Sequence, residues 1–422
     1  MDNGGYSVKA GLSTSKCPKV SSNAVMKSKR ERRRVFVGDE VEECGDCSSL
    51  FYSLPVQKGY LLNWEVQRKV WDHLLGPTRL NIDCKNTCLV ITQPMFNFTS
   101  IREAMYEVIF EHYGFHSLYT NTAPVFSAYK YAYENHEQWG CVIVDSGYSF
   151  THIVPVFKGK VQYQAVIRLS MGGKALTNFL KEIVSYRLLN VMEETYVMNQ
   201  CKEDMCYVSE NLNTDFKEVV QPLERNSIVR EYVLPNFVDR MRGYMRERKA
   251  DPEENSDEQF LRLGVERFSV PELLFSPSDV GIQEMGLAEA LAYSILQRCP
   301  EKIRPYLLNN ILLTGGNCLF KGIQKRLWSD LRSLVPEEFD IRVKLADDPV
   351  CNAWHGARLY TTGKMFQQSV VTKKQYDEVG VTLSRHFTNC KFTNSRELCR
   401  LPNCLECIYE KSIKNNNFIL KN

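Results

Sequence analysis

The apolar run Cys141-Val142-Ile143-Val144 ends at Asp145-Ser146-Gly147 and resumes as Thr151-His152-Ile153-Val154. An unbroken apolar stretch, a turn and a second apolar stretch predict a buried strand that folds back as a hairpin. Upstream, Asn63-Trp64-Glu65-Val66 opens a helix with Val66, Val70, Trp71 and Leu74 on its apolar face. Leu89-Val90-Ile91 reads as a buried strand. Ser100-Ile101-Arg102-Glu103 reads as a capping box ahead of Met105, Val108 and Ile109. Nearer the start, Val35-Phe36-Val37 reads as a strand closed by Gly38. Met171-Gly172-Gly173 introduces another helix, with Leu176, Phe179, Leu180 and Ile183 on one face. From Lys181 to Arg246 the pattern is mostly helical, and Asp251 to Glu258 reads as an acidic surface loop. A strand at Ile311 to Leu313, the pair Gly315-Gly316 and a helix to Trp328 follow. The order of elements is α/β.

Three of the turns carry chemistry. Asp145-Ser146-Gly147 has a counterpart at the start of the chain, Asp2-Asn3-Gly4-Gly5, and Leu313-Thr314-Gly315-Gly316 adds a glycine pair between strand and helix. Glycine lets backbone N–H groups approach phosphate oxygens, and a carboxylate holds Mg²⁺ through water. One such turn is ordinary turn chemistry; its repetition directs attention to phosphate and metal. Other chemistries drop out. Gly173-Lys174 is followed by Ala175 and lacks the leading glycine of a P-loop, and neither His-Glu-x-x-His nor Gly-x-Ser-x-Gly occurs.

Composition changes this picture little. With 422 residues and 44% hydrophobic content the chain can bury a large core and is expected to form two or more domains. It carries no apolar signal stretch and no uninterrupted apolar run of roughly 18 residues, so an intracellular protein is expected, with its fifteen cysteines as thiols. A net charge of +3 confines any basic function to a local patch. One such patch is Lys27, Lys29, Arg30, Arg32, Arg33 and Arg34, a nuclear-import or DNA-contact candidate or else a solvated loop. Arg240, Arg242, Arg246, Arg248 and Lys249 form a second candidate surface. The tail from about Thr388 is Asn-rich and holds Cys390, Cys399, Cys404 and Cys407; thiolates can bind zinc, but the spacing fits no standard template. Cys44-x-x-Cys47 and Cys84-x-x-x-Cys88 are weaker candidates, since cysteine is often simply buried.

The turns, with what lies between them, resemble the actin superfamily. Asp2-Asn3-Gly4 with Lys9-Ala10-Gly11, Val37-Gly38-Asp39-Glu40, Asn63-Trp64, Asp145-Ser146-Gly147 with Thr151-His152, Leu176-Thr177 and Lys202-Glu203 with Cys206-Tyr207-Val208 fall in actin order. So do Glu266-Arg267-Phe268 with Pro271-Glu272, Gly315-Gly316 and Trp354-His355-Gly356-Ala357, and the resemblance covers about residues 2 to 387. It implies an actin-like two-lobed ATPase fold, each lobe a mixed sheet with flanking helices and a nucleotide cleft between. The small lobe would be 1–131 plus 352–387, with 27–62 as its outer subdomain. The large lobe would be 132–351, with an inserted, mainly helical outer subdomain at 172–282, and 388–422 would be a Cys- and Asn-rich tail outside the resemblance. The family has an apolar strand before its first aspartate, whereas Met1 alone precedes Asp2. An incomplete or alternative gene model is therefore expected, with the tail after Phe387 a similar artefact.

Carried over residue by residue, the resemblance places Asp2, Gly4 and Lys9 in a first phosphate hairpin and Asp145 and Gly147 in a second. Lys202 and Glu203 match the ribose and adenine wall, and Gly315, Gly316 and Phe320 the adenine-side loop. Asp2 and Asp145 would hold Mg²⁺ through water beside a structural ATP or ADP. Departures gather where hydrolysis would occur. Gly5 replaces a serine and Tyr6 a glycine; Tyr148 and Ser149 replace an aspartate and a glycine; Ala123 stands where actin has its water-orienting glutamine. Both tyrosine rings are expected at the cleft, the alternative being that they turn away from it.

Within the superfamily, Glu31-Arg32-Arg33-Arg34-Val35-Phe36, Leu50-Phe51-Tyr52 with Gln57-Lys58-Gly59-Tyr60, and Pro94-Met95-Phe96-Asn97-Phe98 resemble a nuclear actin-related class. That class is known as a subunit of SWR-type chromatin remodellers, which install the Z-type variant histone in nucleosomes. The resemblance implies a nuclear, non-catalytic scaffold. Its partners would be a Swi2/Snf2-type remodeller ATPase and a small zinc-finger subunit, with nucleosomal DNA and histones reached through the complex, no membrane contact and no homopolymer. An actin-fold ATPase or phosphotransferase, and a filament-forming actin-like protein, are the alternatives.

Overall fold

The structure, a computed structural model, describes residues 1–29, 34–48, 50–135, 139–247, 258–363 and 366–386. The larger lobe is built on a six-stranded sheet. Its central strand Gly140–Ser146 pairs antiparallel with Thr151–Phe157 and parallel with Ile311–Thr314, which in turn pairs parallel with Val343–Leu345. Lys160–Val161 and Ile167–Leu169 both pair with Thr151–Phe157. The apolar run at 141–144 is continuous because both faces of this sheet are covered. Val142 and Val144 join the main core with Leu176, Leu180, Val184 and Leu291. Cys141 and Ile143 face the other way, onto Ala128, Tyr131 and Val154.

The smaller lobe holds a three-stranded sheet in which Ser117–Thr122 lies between parallel Cys88–Gln93 and antiparallel Val371–Thr372. The first hairpin attaches alongside: Thr92 N–H donates to Met1 O at 3.1 Å, and Asn3 N–H to Thr92 Oγ1 at 2.8 Å. Helix Trp64–Leu75 forms as its spacing predicts, with Asn63 Oδ1 accepting from Val66 N–H at 3.1 Å. That cap supports a helix whose Gln67 and Trp71 clasp Asn3 (3.0 and 3.1 Å). Asn63→Ala should therefore cost about 1 kcal/mol, read as a lower urea midpoint. Helix Asn352–Thr361 packs on Ala123–Glu134 so closely that a Cβ on Gly356 would lie 2.0 Å from Phe126 O.

Some expectations fail locally. Ser100 caps nothing: helix Thr99–Glu107 has already begun, Phe98 holds the cap position without a side-chain bond, and a π-turn continues it over Val108–His112. The stretch from Lys181 is helical only as far as Val219, through Gly173–Arg187, Thr195–Met205 and Leu212–Val219. Beyond it, Arg230–Val233 is the middle strand of an antiparallel sheet between Tyr244–Arg246 and Phe260–Leu263. The segment 172–282 thus holds this small sheet beside its helices. Glu231 decides this. It is buried and sits opposite both Arg246 and Arg262, which reach its carboxylate at 3.0 and 2.9 Å. Cross-strand charge pairs of this kind support strands rather than a helix.

The same bonds revise the basic surfaces. Arg240 and Arg246 each reach Glu258 at 2.7 Å and Arg242 reaches Asp204 at 2.8 Å, so these arginines are already paired within the protein. Lys29 pairs with Glu193; Arg34 pairs with Glu43 and lies 4.7 Å over the Phe36 ring; Lys27 is exposed. Arg30, Arg32, Arg33, Arg248 and Lys249, most of the 251–258 loop and the tail cysteines lie outside the described residues. Cys44 and Cys47 pack with Met26, Phe36 and Leu50 as core residues. Among the described residues no helix is long and apolar enough to cross a membrane, and no group of three or more His, Cys, Asp or Glu is placed to hold a metal.

Candidate functional site

Two hairpins and a glycine loop meet at a cleft of about 610 Å³ between the lobes. In the first hairpin, Asp2–Asn3 pairs with Ser7–Ala10 so that Asp2 sits opposite Lys9, whose Nζ lies 3.4 Å from Asp2 Oδ2. Thr92 Oγ1 donates to Asp2 Oδ1 at 2.8 Å. Asn23 fixes the tip by donating to Gly4 O (2.8 Å) and, through its N–H, to Tyr6 O (2.8 Å). A side chain on Gly4 would meet Ser7 O at 2.9 Å.

The second hairpin places Asp145 opposite His152 and seats its tip on the helix that follows. Gly147 O accepts from Gly173 N–H at 2.9 Å and Tyr148 O from Lys174 N–H at 2.9 Å. Gly172 has no room for a Cβ, which would lie 2.6 Å from Tyr148 O. The glycine loop closes on the same tip. Gly315 has φ +92 and its Cβ would lie 2.2 Å from Ser146 O, whereas Gly316 has nothing within 4 Å and stands open. Asn317 donates to Gly147 O (2.8 Å) and Ser146 Oγ (3.1 Å), and Ser146 bonds Thr151 Oγ1 at 2.8 Å.

All ten residues expected from the sequence line this cleft: Asp2, Gly4, Lys9, Asp145, Gly147, Lys202, Glu203, Gly315, Gly316 and Phe320. Lys202 and Glu203 are both held by Asn199. Lys202 is buried, and its ammonium donates to Asn199 Oδ1 (2.8 Å), Thr177 Oγ1 (3.0 Å) and Gly173 O (3.3 Å). Burial pulls its pKa down. Glu203 accepts from Asn199 Nδ2 at 2.7 Å. Asn199 and Asn317 are thus pivots that the sequence reading missed. Their signals were present: Asn199 precedes Glu203 by one helical turn, and Asn317 directly follows Gly315-Gly316.

The rings do not turn away. Tyr6 and Tyr148 both line the cleft and meet with centroids 5.1 Å apart. Burial raises both phenols, Tyr148 to about 12, and the Glu203 charge pushes Tyr6 further. Asp145 is raised to about 6, first by burial and then by the charge of Asp2, with Lys9 opposing. Ala123 starts helix Ala123–Glu134 in the cleft wall and presents only a methyl group.

The residues fit Mg²⁺ with a nucleotide. Two carboxylates crowd one end of the cleft, where a divalent cation would relieve their repulsion, and the open backbone of Gly316 suits a ligand's close approach. The actin family model matches residues 1–389. The chain belongs to the actin family. It is 43% identical to actin-related protein 6 of Drosophila melanogaster over 389 residues, covering 90% of this chain and 96% of that one. It is 34% identical to actin-like protein ARP6 of Yarrowia lipolytica over 385 residues, 91% and 96% of the two chains. Identity to actin-related protein 6 of Arabidopsis thaliana is 33% over 420 residues, 90% and 96%. The two-lobed architecture is accordingly the actin fold, a family that generally binds ATP or ADP with Mg²⁺.

Proposed function

We propose that the chain is a non-hydrolysing scaffold subunit of a nuclear SWR-type remodelling complex that exchanges the Z-type variant histone into nucleosomes. Likeness to actin-related protein 6 across nine-tenths of the chain supports the class. One observation supports the loss of hydrolysis: the cleft wall offers the methyl of Ala123 where the family has its water-orienting glutamine, and the phenol of Tyr148 where it has an aspartate. A positioned proton-transfer group contributes about a hundred- to ten-thousand-fold; a methyl group supplies none, and a phenol that burial has pushed up to about 12 is not a base at neutral pH. Asp2 and Asp145 would hold Mg²⁺ through water, Lys9 would neutralise phosphate charge, and the Gly315–Phe320 loop would flank the base. A bound metal–nucleotide supplies charge that ties the two hairpins together and stabilises the folded state by mass action.

The partners in this reading are a Swi2/Snf2-type ATPase and a small zinc-finger subunit, with DNA and histones reached through the assembly. Filament formation is not part of this reading; in the outer segment Val41, Cys44, Cys47 and Leu50 fold inward onto Met26 and Phe36. Purified protein with ATP and Mg²⁺ should release phosphate no faster than the Asp145→Ala variant and should not pellet as polymer. Affinity purification from nuclei should recover the remodeller ATPase together with variant histone. Enzyme-like turnover lost on Asp145→Ala, or a metabolic enzyme set in place of a remodeller, would overturn the proposal.

A further inference from the structure

The nucleotide cleft shares a wall with a second chamber. This outer space, about 420 Å³, lies between Leu50–Leu54 of the small lobe and a large-lobe face bearing Lys174, Lys181 and Asn199. Tyr6 and Tyr148 line both spaces, so their paired rings are the partition. The ring planes are tilted by 37°, and Tyr6 OH accepts from Asn199 Nδ2 at 3.1 Å, which ties the first hairpin to the opposite lobe. The hairpin tips also touch beside the rings: a Cβ on Gly5 would lie 2.7 Å from Ser149 Oγ.

This arrangement limits what the cleft can hold. Backbone N–H groups recognise phosphate only where space is left in front of them. Asp2, Lys9 and Asp145 line the cleft, but at Gly5, Tyr6, Tyr148 and Ser149 the two hairpins are in contact. A phosphate chain extended toward the tips must separate the two tilted rings, break the Asn199 bond and force Ser149 away from Gly5. We propose that Tyr6, Tyr148 and Ser149 form a stop, and that the cleft selects a nucleoside diphosphate with Mg²⁺ over a triphosphate. The stop rests on the reading of the cleft as a nucleotide site and is independent of the scaffold role.

Calorimetric titration of the full chain with Mg²⁺ and AMP, ADP, ATP or a non-hydrolysable ATP analogue tests it without any variant. ADP should bind at least about tenfold more tightly than the triphosphates. Tyr148→Gly with Ser149→Gly should raise affinity for the analogue to within about twofold of ADP. Thermal melting without nucleotide reports whether that variant is folded, and the wild-type series stands alone if it is not. Equal affinity of the wild type for ADP and the analogue would sink the stop while leaving a nucleotide cleft. No binding of any nucleotide would sink the cleft reading itself.

Discussion

Replacing Asp145 with asparagine should stabilise the nucleotide-free protein at neutral pH while weakening Mg²⁺–nucleotide binding. The carboxyl titrates near 6 in the folded chain against an ordinary 3.8, because burial and the charge of Asp2 outweigh the help from Lys9. The folded state therefore binds this proton more tightly than the unfolded state. Between about pH 4 and 6 the unfolded chain releases it first, so this group's contribution falls as pH rises and levels off above 6. A shift of about two units corresponds to roughly 3 kcal/mol, and the cleft-facing side of Asp145 keeps some solvent, which trims the expected effect to about 1–3 kcal/mol. Urea midpoints of wild type and Asp145→Asn should nearly coincide at pH 4 and separate in favour of the variant at pH 7.5. Saturating Mg²⁺–ADP should narrow or reverse the gap, because the cation stabilises the charged carboxylate of the wild type. A variant less stable than wild type at pH 7.5 without nucleotide would mean that Lys9 gives the Asp145 carboxylate more than burial and the charge of Asp2 remove.

The Asp145 hairpin was legible because its signals are local and dense. A doubly covered strand must be apolar at every position, and Val142 to Val144 announces that without help from distant residues. The Asp-x-Gly turns and the Gly315-Gly316 pair likewise require their residue types at fixed positions, so all ten expected residues reach one cleft. The sheet around Arg230–Val233 was hidden for the opposite reason. Glu231 and Arg246 are far apart in sequence and make sense only as cross-strand neighbours, while read along the chain they resemble a charged helical surface. The ion pairs among the basic candidates were hidden for the same reason, since composition counts charges but cannot show that Arg240, Arg242 and Arg246 have acidic neighbours. Tyr6 and Tyr148 were noticed as misfits, but their contact belongs to two lobes brought together by tertiary packing.

A second large effect is expected far from the phosphates, at Arg326. Its guanidinium holds Glu272 with two bonds of 2.7 and 2.8 Å, reaches Asp330 at 2.8 Å and lies 4.9 Å over the Phe275 ring. Glu272 is buried, so Arg326→Ala would strand its carboxylate without a counter-charge, a loss of about 3–5 kcal/mol. Removing both partners in Glu272→Ala/Arg326→Ala should cost less than the two single losses added together, because no buried charge is then left alone. The position also bears on the cleft. Arg326 donates to Ser209 O at 3.0 Å, and just ahead of its helix Val208 N–H donates to Lys321 O at 2.8 Å. Gly322, at φ +89, approaches Val208 O so closely that a Cβ would lie 2.2 Å away. These bonds join the segment after Lys202 and Glu203 to the loop carrying Phe320, so both sides of the proposed base-binding wall depend on one buried ion pair. Urea midpoints and ADP titrations on the same preparations should therefore fall together for Arg326→Ala. A variant that loses several kcal/mol of stability yet binds ADP as wild type does would show that the wall is held by Asn317 and the second hairpin, and not by this pair.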